Sequence, residues 1–335
     1  MIAEFYRSFL PKSFCGTSFC QERRKLPATP YYCSNEDNLH LFLPYQSNLG
    51  SGLVSVGSDQ GLDLYANGTF DSLYQIDYDP RVLHLTRTLL VAGSKFRRLQ
   101  GHIKPTDIFQ LFQRKNMKEV FHLVQDELNC AQSIQAFLYM FGGIDTQFSI
   151  GDYGRFMEQR SNIRNGEGDR YTWYSSPDLL TRILDSFEDN KIRFQSVDLT
   201  DAEEMIKFGD LVRNDNSDIS TVYLSNAEGY VKGIRGIKGV GNILNSLHTL
   251  PIVEDGIILR TVDRVDQSHH IPFAERNPTI RGQLREIYDP VWHYNIESIS
   301  HHLRKCAKEQ NYDQFGWQKH VRRTSSTLKG VSILV

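Results

Sequence analysis

The sequence is defined first by what it lacks. No run of about 18 apolar residues occurs anywhere along its 335 positions, so no membrane-spanning helix is expected. Neither sign of charge dominates. Thirty-eight Lys and Arg stand against 40 Asp and Glu, a net charge of −2, so no strong field points at nucleic acid or an anionic membrane. Cysteine is sparse and odd in number. Cys15, Cys20, Cys33, Cys130 and Cys306 suggest reduced thiols rather than a disulfide scaffold. Cys15 and Cys20 lack a second Cys or His pair at zinc spacing, so no metal site is expected. The first 20 residues are mixed rather than apolar, so no signal peptide is read and a cytoplasmic location is expected. No Gly-x-Ser-x-Gly, Walker A, His-Glu-x-x-His or Asp-Phe-Gly motif is present, which counts against hydrolase, NTPase, zinc-protease and kinase readings.

What is present is alternation of strand and helix signals. Leu53–Val56 is a short apolar run that ends in the turn Gly57-Ser58-Asp59-Gln60-Gly61. Leu73–Ile76 reads as a second strand, stopped by Asp77, and Pro80 sits where a first helical turn tolerates proline. From residue 105 to 190 the pattern is mainly helical. Later strands are expected over Ile192–Val197, Ile219–Leu224 and Gly256–Val262, with a helix starting near Asp201. This predicts an α/β fold: a Rossmann-like, mainly parallel sheet flanked by helices, with a helical insertion after the second strand. The expected organisation is an N-terminal wrapping segment (1–45), a Rossmann-like domain (46–265, with the insertion at 100–175) and a C-terminal extension (266–335).

In a parallel sheet, ligands sit beyond the carboxyl ends of the strands. Four strand ends here carry polar residues. Gly57 admits a ligand close to the backbone, with Ser58 and Asp59 beside it. Asp77 follows 20 residues later, the spacing at which a carboxylate accepts ribose hydroxyls; the competing reading is a cap for the next helix. Asp198 could accept an adenine amino group or cap a helix. Ser225 and Asn226 end the fourth strand and face a transferred group or simply form a turn, and Glu228 is a candidate base. An acid at position 59 would repel a pyrophosphate and attract a sulfonium, which turns the expected cofactor toward S-adenosylmethionine. Lys232, Arg235 and Lys238 read as a solvated Gly-rich loop. Ser268-His269-His270 with Glu275 could form a metal or acid–base pair but reads as a loop before Pro272, and His301-His302 reads as the surface of an amphipathic helix.

Three stretches carry a family resemblance: Leu53–Gln60 running on to Tyr74–Asp77, then Trp173–Ser176, then Thr221–Tyr230, with Ser34-Asn35-Glu36 as an N-terminal lead-in. Together they resemble a family of bacterial proteins of unestablished activity with a class I methyltransferase-like fold. The likeness spans residues 30–265. It departs at Gly61, where Asn would be expected, and in the long helical stretch before the third strand. It implies a sheet with a helical insertion and an adenosyl pocket. Three functions stay open. One is an S-adenosylmethionine-dependent methyltransferase, with Gly57, Ser58, Asp59, Asp77 and Asp198 holding cofactor and Ser225, Asn226 and Glu228 lining a small-molecule or protein acceptor. The second is a catalytically inactive binding protein, an effector that acts on a host protein after delivery into its cytosol. The third is another nucleotide-dependent transferase.

Overall fold

A computed structural model describes residues 39–45, 51–141, 153–164, 168–263 and 292–298. The regions holding Cys15, Cys20, Cys33, Cys306, both His pairs, the lead-in at 34–36 and most of the expected terminal segments lie outside these residues. The strands are β1 (Gly52–Val56), β2 (Ser72–Asp77), β3 (Ile192–Ser196), β4 (Ile219–Ser225), β5 (Ile252–Asp263) and β6 (Trp292–Ser298). Their order in one sheet is β3-β2-β1-β4-β5-β6. β4 runs parallel to both β1 and β5, pairing Val54 with Val222 and Val222 with Ile258. β6 closes the edge antiparallel to β5, with Leu259 opposite Ile296. The fold is therefore α/β, Rossmann-like and mainly parallel.

Burial explains the strand sequences. β1 and β4 are buried at every position, as strands covered on both faces are, with small polar residues (Ser55, Ser220, Thr221, Ser225) among their apolar ones. β3 lies at the sheet's other edge and alternates, with Ile192 and Phe194 buried and Arg193 exposed. β5 begins four residues earlier than expected, because Ile252 pairs with Ile219.

The helices are α1 (Gln60–Asn67), α2 (Pro80–Gln100), α3 (Pro105–Leu111), α4 (Met117–Val124), α5 (Ala131–Met140), α6 (Tyr153–Arg160), α7 (Pro177–Glu188), α8 (Ala202–Asn214) and α9 (Ala227–Ser246). α2 to α7 lie between β2 and β3, which makes the helical insertion after the second strand a feature of the fold. The start of α2 is built from Asp79, whose Oδ1 accepts the Arg81 N–H at 3.0 Å, followed by Pro80 in the first turn. Its end is Gly101 in the left-handed region (φ 77°), donating its N–H to the Arg97 carbonyl.

Lys232, Arg235 and Lys238 correct one expectation. They lie on α9, not in a loop. The glycines of this stretch weaken an isolated helix, but Val240, Ile243 and Leu247 are fully buried along one side, and such burial overrides propensity.

Packing divides the chain into two compact units. Among described residues the first comprises 57–67 and 75–196, and the second comprises 39–45, 51–56, 68–74 and the rest from Val197 onward. In the first, α2 packs closely on α3 and α7 at Gly93, where a Cβ would meet Ile108 at 3.1 Å and Leu184 at 3.3 Å. Phe137 joins Phe121 and Phe141 in an aromatic cluster, with ring centroids 5.9 and 5.1 Å away. In the second, the Tyr74 hydroxyl donates to Asp215 Oδ2 at 3.0 Å and its ring meets Phe208 edge-on.

Candidate functional site

In the first unit the end of β1 turns through Gly57, whose φ of 102° favours glycine. The Gly57 N–H donates to the Ile76 carbonyl at 3.1 Å. Gln75 Nε2 donates to the Gly57 carbonyl at 2.9 Å and also lies against the Ser58 carbonyl. The turn is thus tied to the end of β2 by main chain and side chain together. Asp77 ends β2, partly exposed, and its Oδ1 accepts the Asp79 N–H at 2.7 Å. Capping of α2 falls to Asp79, so Asp77 supports the cap from two residues outside it.

Asp59, expected on the ligand side of the turn, is fully buried. Its carbonyl accepts the first N–H groups of α1 from Leu62 and Asp63. Its carboxylate accepts from the Ser58 hydroxyl at 3.3 Å. One helical turn on lies Asp63, also buried, whose Oδ1 accepts the Trp173 N–H at 2.8 Å. Arg160, from the end of α6 and 4% exposed, brings Nη2 to 3.6 Å from Asp63 Oδ2. Its guanidinium lies 5.8 Å from the Phe156 ring centroid. The buried Tyr174 phenol faces the same guanidinium.

Two carboxyl groups therefore share one buried cation. Burial raises the Asp59 carboxyl above its ordinary range, with Arg160 only partly offsetting it. Burial pushes Asp63 up to about 8, Arg160 opposes the rise and the charge of Asp59 adds to it. Burial likewise pushes the Tyr174 phenol well above its usual range. Burial thus favours the protonated form of Asp63 near neutral pH, since two like charges this deep are costly to ionise together against a single guanidinium.

α1 is tied at its other end as well. Asn67 Nδ2 donates to the Tyr171 carbonyl at 2.6 Å, and Arg182 Nη1 donates to the Ala66 carbonyl at 3.1 Å. The segment from Arg160 to Arg182 thus holds the helix that follows the glycine turn.

The second unit contains the other expected residues. Asp198 lies two residues past β3, which stops at Ser196. Its Oδ1 accepts the Thr200 N–H at 2.9 Å and the Thr200 hydroxyl at 2.7 Å, and its Oδ2 pairs with Arg235 Nη2 at 2.8 Å. The α8 cap is Asp201, which accepts from Glu203 and Glu204 N–H groups. Ser225 ends β4 in the left-handed region, with φ 52°. Asn226 stands at the α9 cap position without a side-chain capping bond, half-buried. Glu228 is buried on the first turn of α9, its Oε2 3.0 Å from Nε of the fully buried Arg260 on β5.

Gly57, Ser58, Asp59 and Asp77 thus gather in the first unit, and Asp198, Ser225, Asn226 and Glu228 belong to the second. Sequence reasoning missed Asp63, Arg160 and Arg260. One signal was available: Asp59 and Asp63 are four residues apart at a helix start, which puts both carboxyls on one helix face. Among the described residues no group of three or more His, Cys, Asp or Glu is arranged to hold a metal ion, and no helix is long and apolar enough to cross a membrane.

No curated protein matches the chain in sequence. Among solved structures it is similar to the rRNA methyltransferase aviRa from Streptomyces viridochromogenes, at 12% identity over 76% of this chain and 79% of that one, with a TM-score of 0.31. A second structure of that enzyme matches at 10% identity over 76% and 80% of the two chains, with a TM-score of 0.30. Likeness of this degree carries no inference about activity. Residues 31–335 match the family described as Domain of unknown function (DUF7790), and the chain belongs to that family.

Proposed function

We propose that this protein is a methyltransferase-like S-adenosylmethionine binder whose first unit receives the adenosyl group at the Gly57 turn. The observation that carries the reading is the coupling of two strand ends. Gly57 opens the backbone at the end of β1, Gln75 and the Ile76 carbonyl fix that turn to β2, and Asp77 ends β2 one step beyond. Ligands of parallel sheets bind beyond these ends, and a carboxylate on the second strand is suited to ribose hydroxyls. The turn lacks the further glycines of a Gly-x-Gly-x-x-Gly dinucleotide motif, which argues for a nucleoside ligand over a dinucleotide. Asp59 acts from below the surface, shaping the turn rather than touching the sulfonium. Catalysis would then consist chiefly in orienting methyl donor and acceptor.

Calorimetric titration with S-adenosylmethionine and S-adenosylhomocysteine tests the reading. Binding is expected, and Asp77→Ala should weaken it about 10- to 100-fold, the loss of charge-assisted hydrogen bonds worth about 1.5–3 kcal/mol. Absence of heat at millimolar ligand overturns it.

A second reading keeps the ligand and drops turnover. Glu228, the candidate base, is ion-paired with Arg260, and Asp198 with Arg235. A protein that binds S-adenosylhomocysteine and transfers no methyl group to small-molecule or protein acceptors would favour this reading.

A further inference from the structure

The helical insertion holds a second piece of chemistry in the first unit. Cys130 stands at the cap position of α5 with extended backbone (φ −148°, ψ 166°). Its Sγ lies 3.5 Å from His84 Nε2, contributed by α2, and 3.6 Å from the Ser133 hydroxyl. The sulfur also receives the Ser133 N–H, while Ser133 Oγ accepts the Cys130 N–H at 3.2 Å. The His84 carbonyl is held in turn by the Thr88 hydroxyl at 2.7 Å. A sulfur so placed meets an imidazole from one helix and the N–H groups at the start of another, both of which favour thiolate over thiol. Cys130 is buried at 5% exposure and His84 at 7%, between the exposed Asn129 and Ala131.

The neighbouring charges are spoken for or face solvent. α5 carries no acidic or basic side chain. On α2, Arg81 is paired with Asp79, Arg87 with Glu127 and Lys95 with Asp126, and on α4 Lys118, Glu119 and His122 are exposed.

We propose that Cys130 and His84 form a nucleophilic thiol site that reacts with low-molecular-weight disulfides. His84 Nε2 takes the thiol proton. The thiolate attacks one sulfur of the disulfide, the new bond joins it to Cys130, and the other half leaves as a thiolate that recovers the proton. A dithiol reductant reverses the exchange. None of this depends on adenosyl binding.

The test uses the folded full-length protein and glutathione disulfide, with the modified peptide located by mass spectrometry and rates taken across pH. Cys130 is expected to form the mixed disulfide with a rate midpoint below the ordinary thiol value of about 8.5. His84→Gln should move that midpoint up by about one unit, as loss of the base that receives the thiol proton does. Ser133→Ala, which keeps the imidazole, should move it less, and circular dichroism confirms that both variants are folded. Cys130 that stays unmodified until the protein is denatured, or a midpoint that is the same in wild type and His84→Gln, overturns the proposal and leaves Cys130 as a helix cap.

Discussion

Replacing Asp63 by Asn should change how stability depends on pH. In the folded protein Asp63 titrates near 8, driven up by burial, whereas in the unfolded chain it returns to about 3.9. Between those values the folded state holds one proton that the unfolded state has released. The proton therefore stabilises the fold fully below the unfolded value, and its contribution is lost as pH rises through the folded value. One such proton gives a slope of about 1.4 kcal/mol per pH unit. From pH 6 to pH 8, where the slope has fallen to half because the group is half-titrated, wild type should lose about 2 kcal/mol more than Asp63→Asn from this group. The variant keeps an acceptor for the Trp173 N–H, now from a neutral amide, and leaves Asp59 as the single carboxylate facing Arg160. Urea unfolding at pH 6.0, 7.0 and 8.0, followed through tryptophan fluorescence, measures both slopes, since Trp173 is fully buried beside the cluster. If wild type and variant lose stability in parallel, Asp63 does not hold the proton and the account of the pair is wrong.

Other substitutions separate strain, sterics and charge. Gly57→Ala should cost about 1–2 kcal/mol from the left-handed backbone alone, because the nearest atom to its Cβ, Gln60 Oε1, is 3.7 Å away; thermal unfolding reads this. Gly154→Ala should cost more, although Ala favours helix by about 1 kcal/mol, because its Cβ would run into the Phe109 carbonyl and approach Gln113 N to 3.0 Å. Arg260→Met should cost about 3–5 kcal/mol by stranding Glu228, and adding Glu228→Leu should restore part of it; a double-mutant cycle in urea measures the coupling. Asp198→Asn should cost under about 1 kcal/mol, because Arg235 is 42% exposed and solvent screens the pair; chemical denaturation at low and high salt measures it.

The sheet was legible wherever one element sets its own pattern. β1 and β4 announce themselves as short runs of apolar and small residues without charge, because both faces are covered, and Pro80 and Pro177 mark helix starts that depend only on local backbone. Asp59 was not legible. A Gly-Ser-Asp turn reads as facing a ligand, and the guanidinium that its buried carboxyl meets instead comes from about a hundred residues further on. Asp63 was hidden for a related reason: α1 is buried on every side from Gln60 to Ala66, so it has no polar face against which an acid would look misplaced. Glu228 looked like a base because its partner Arg260 sits on another element, and the spacing between them carries no signal.

The ties on α1 also bear on how the chain comes together. Asp63 is joined to Trp173 across 110 positions, Asn67 to Tyr171 across 104 and Arg182 to Ala66 across 116. An eight-residue helix is marginal alone, and contacts this distant in sequence are closed late because ordering the intervening loop must come first. A ribosome that has released only the first two strands has therefore made a glycine turn with nothing behind it. The turn acquires its native shape only after the insertion has emerged and folded, so a fragment ending before residue 171 should keep helical content in α2 while leaving α1 unprotected against hydrogen exchange.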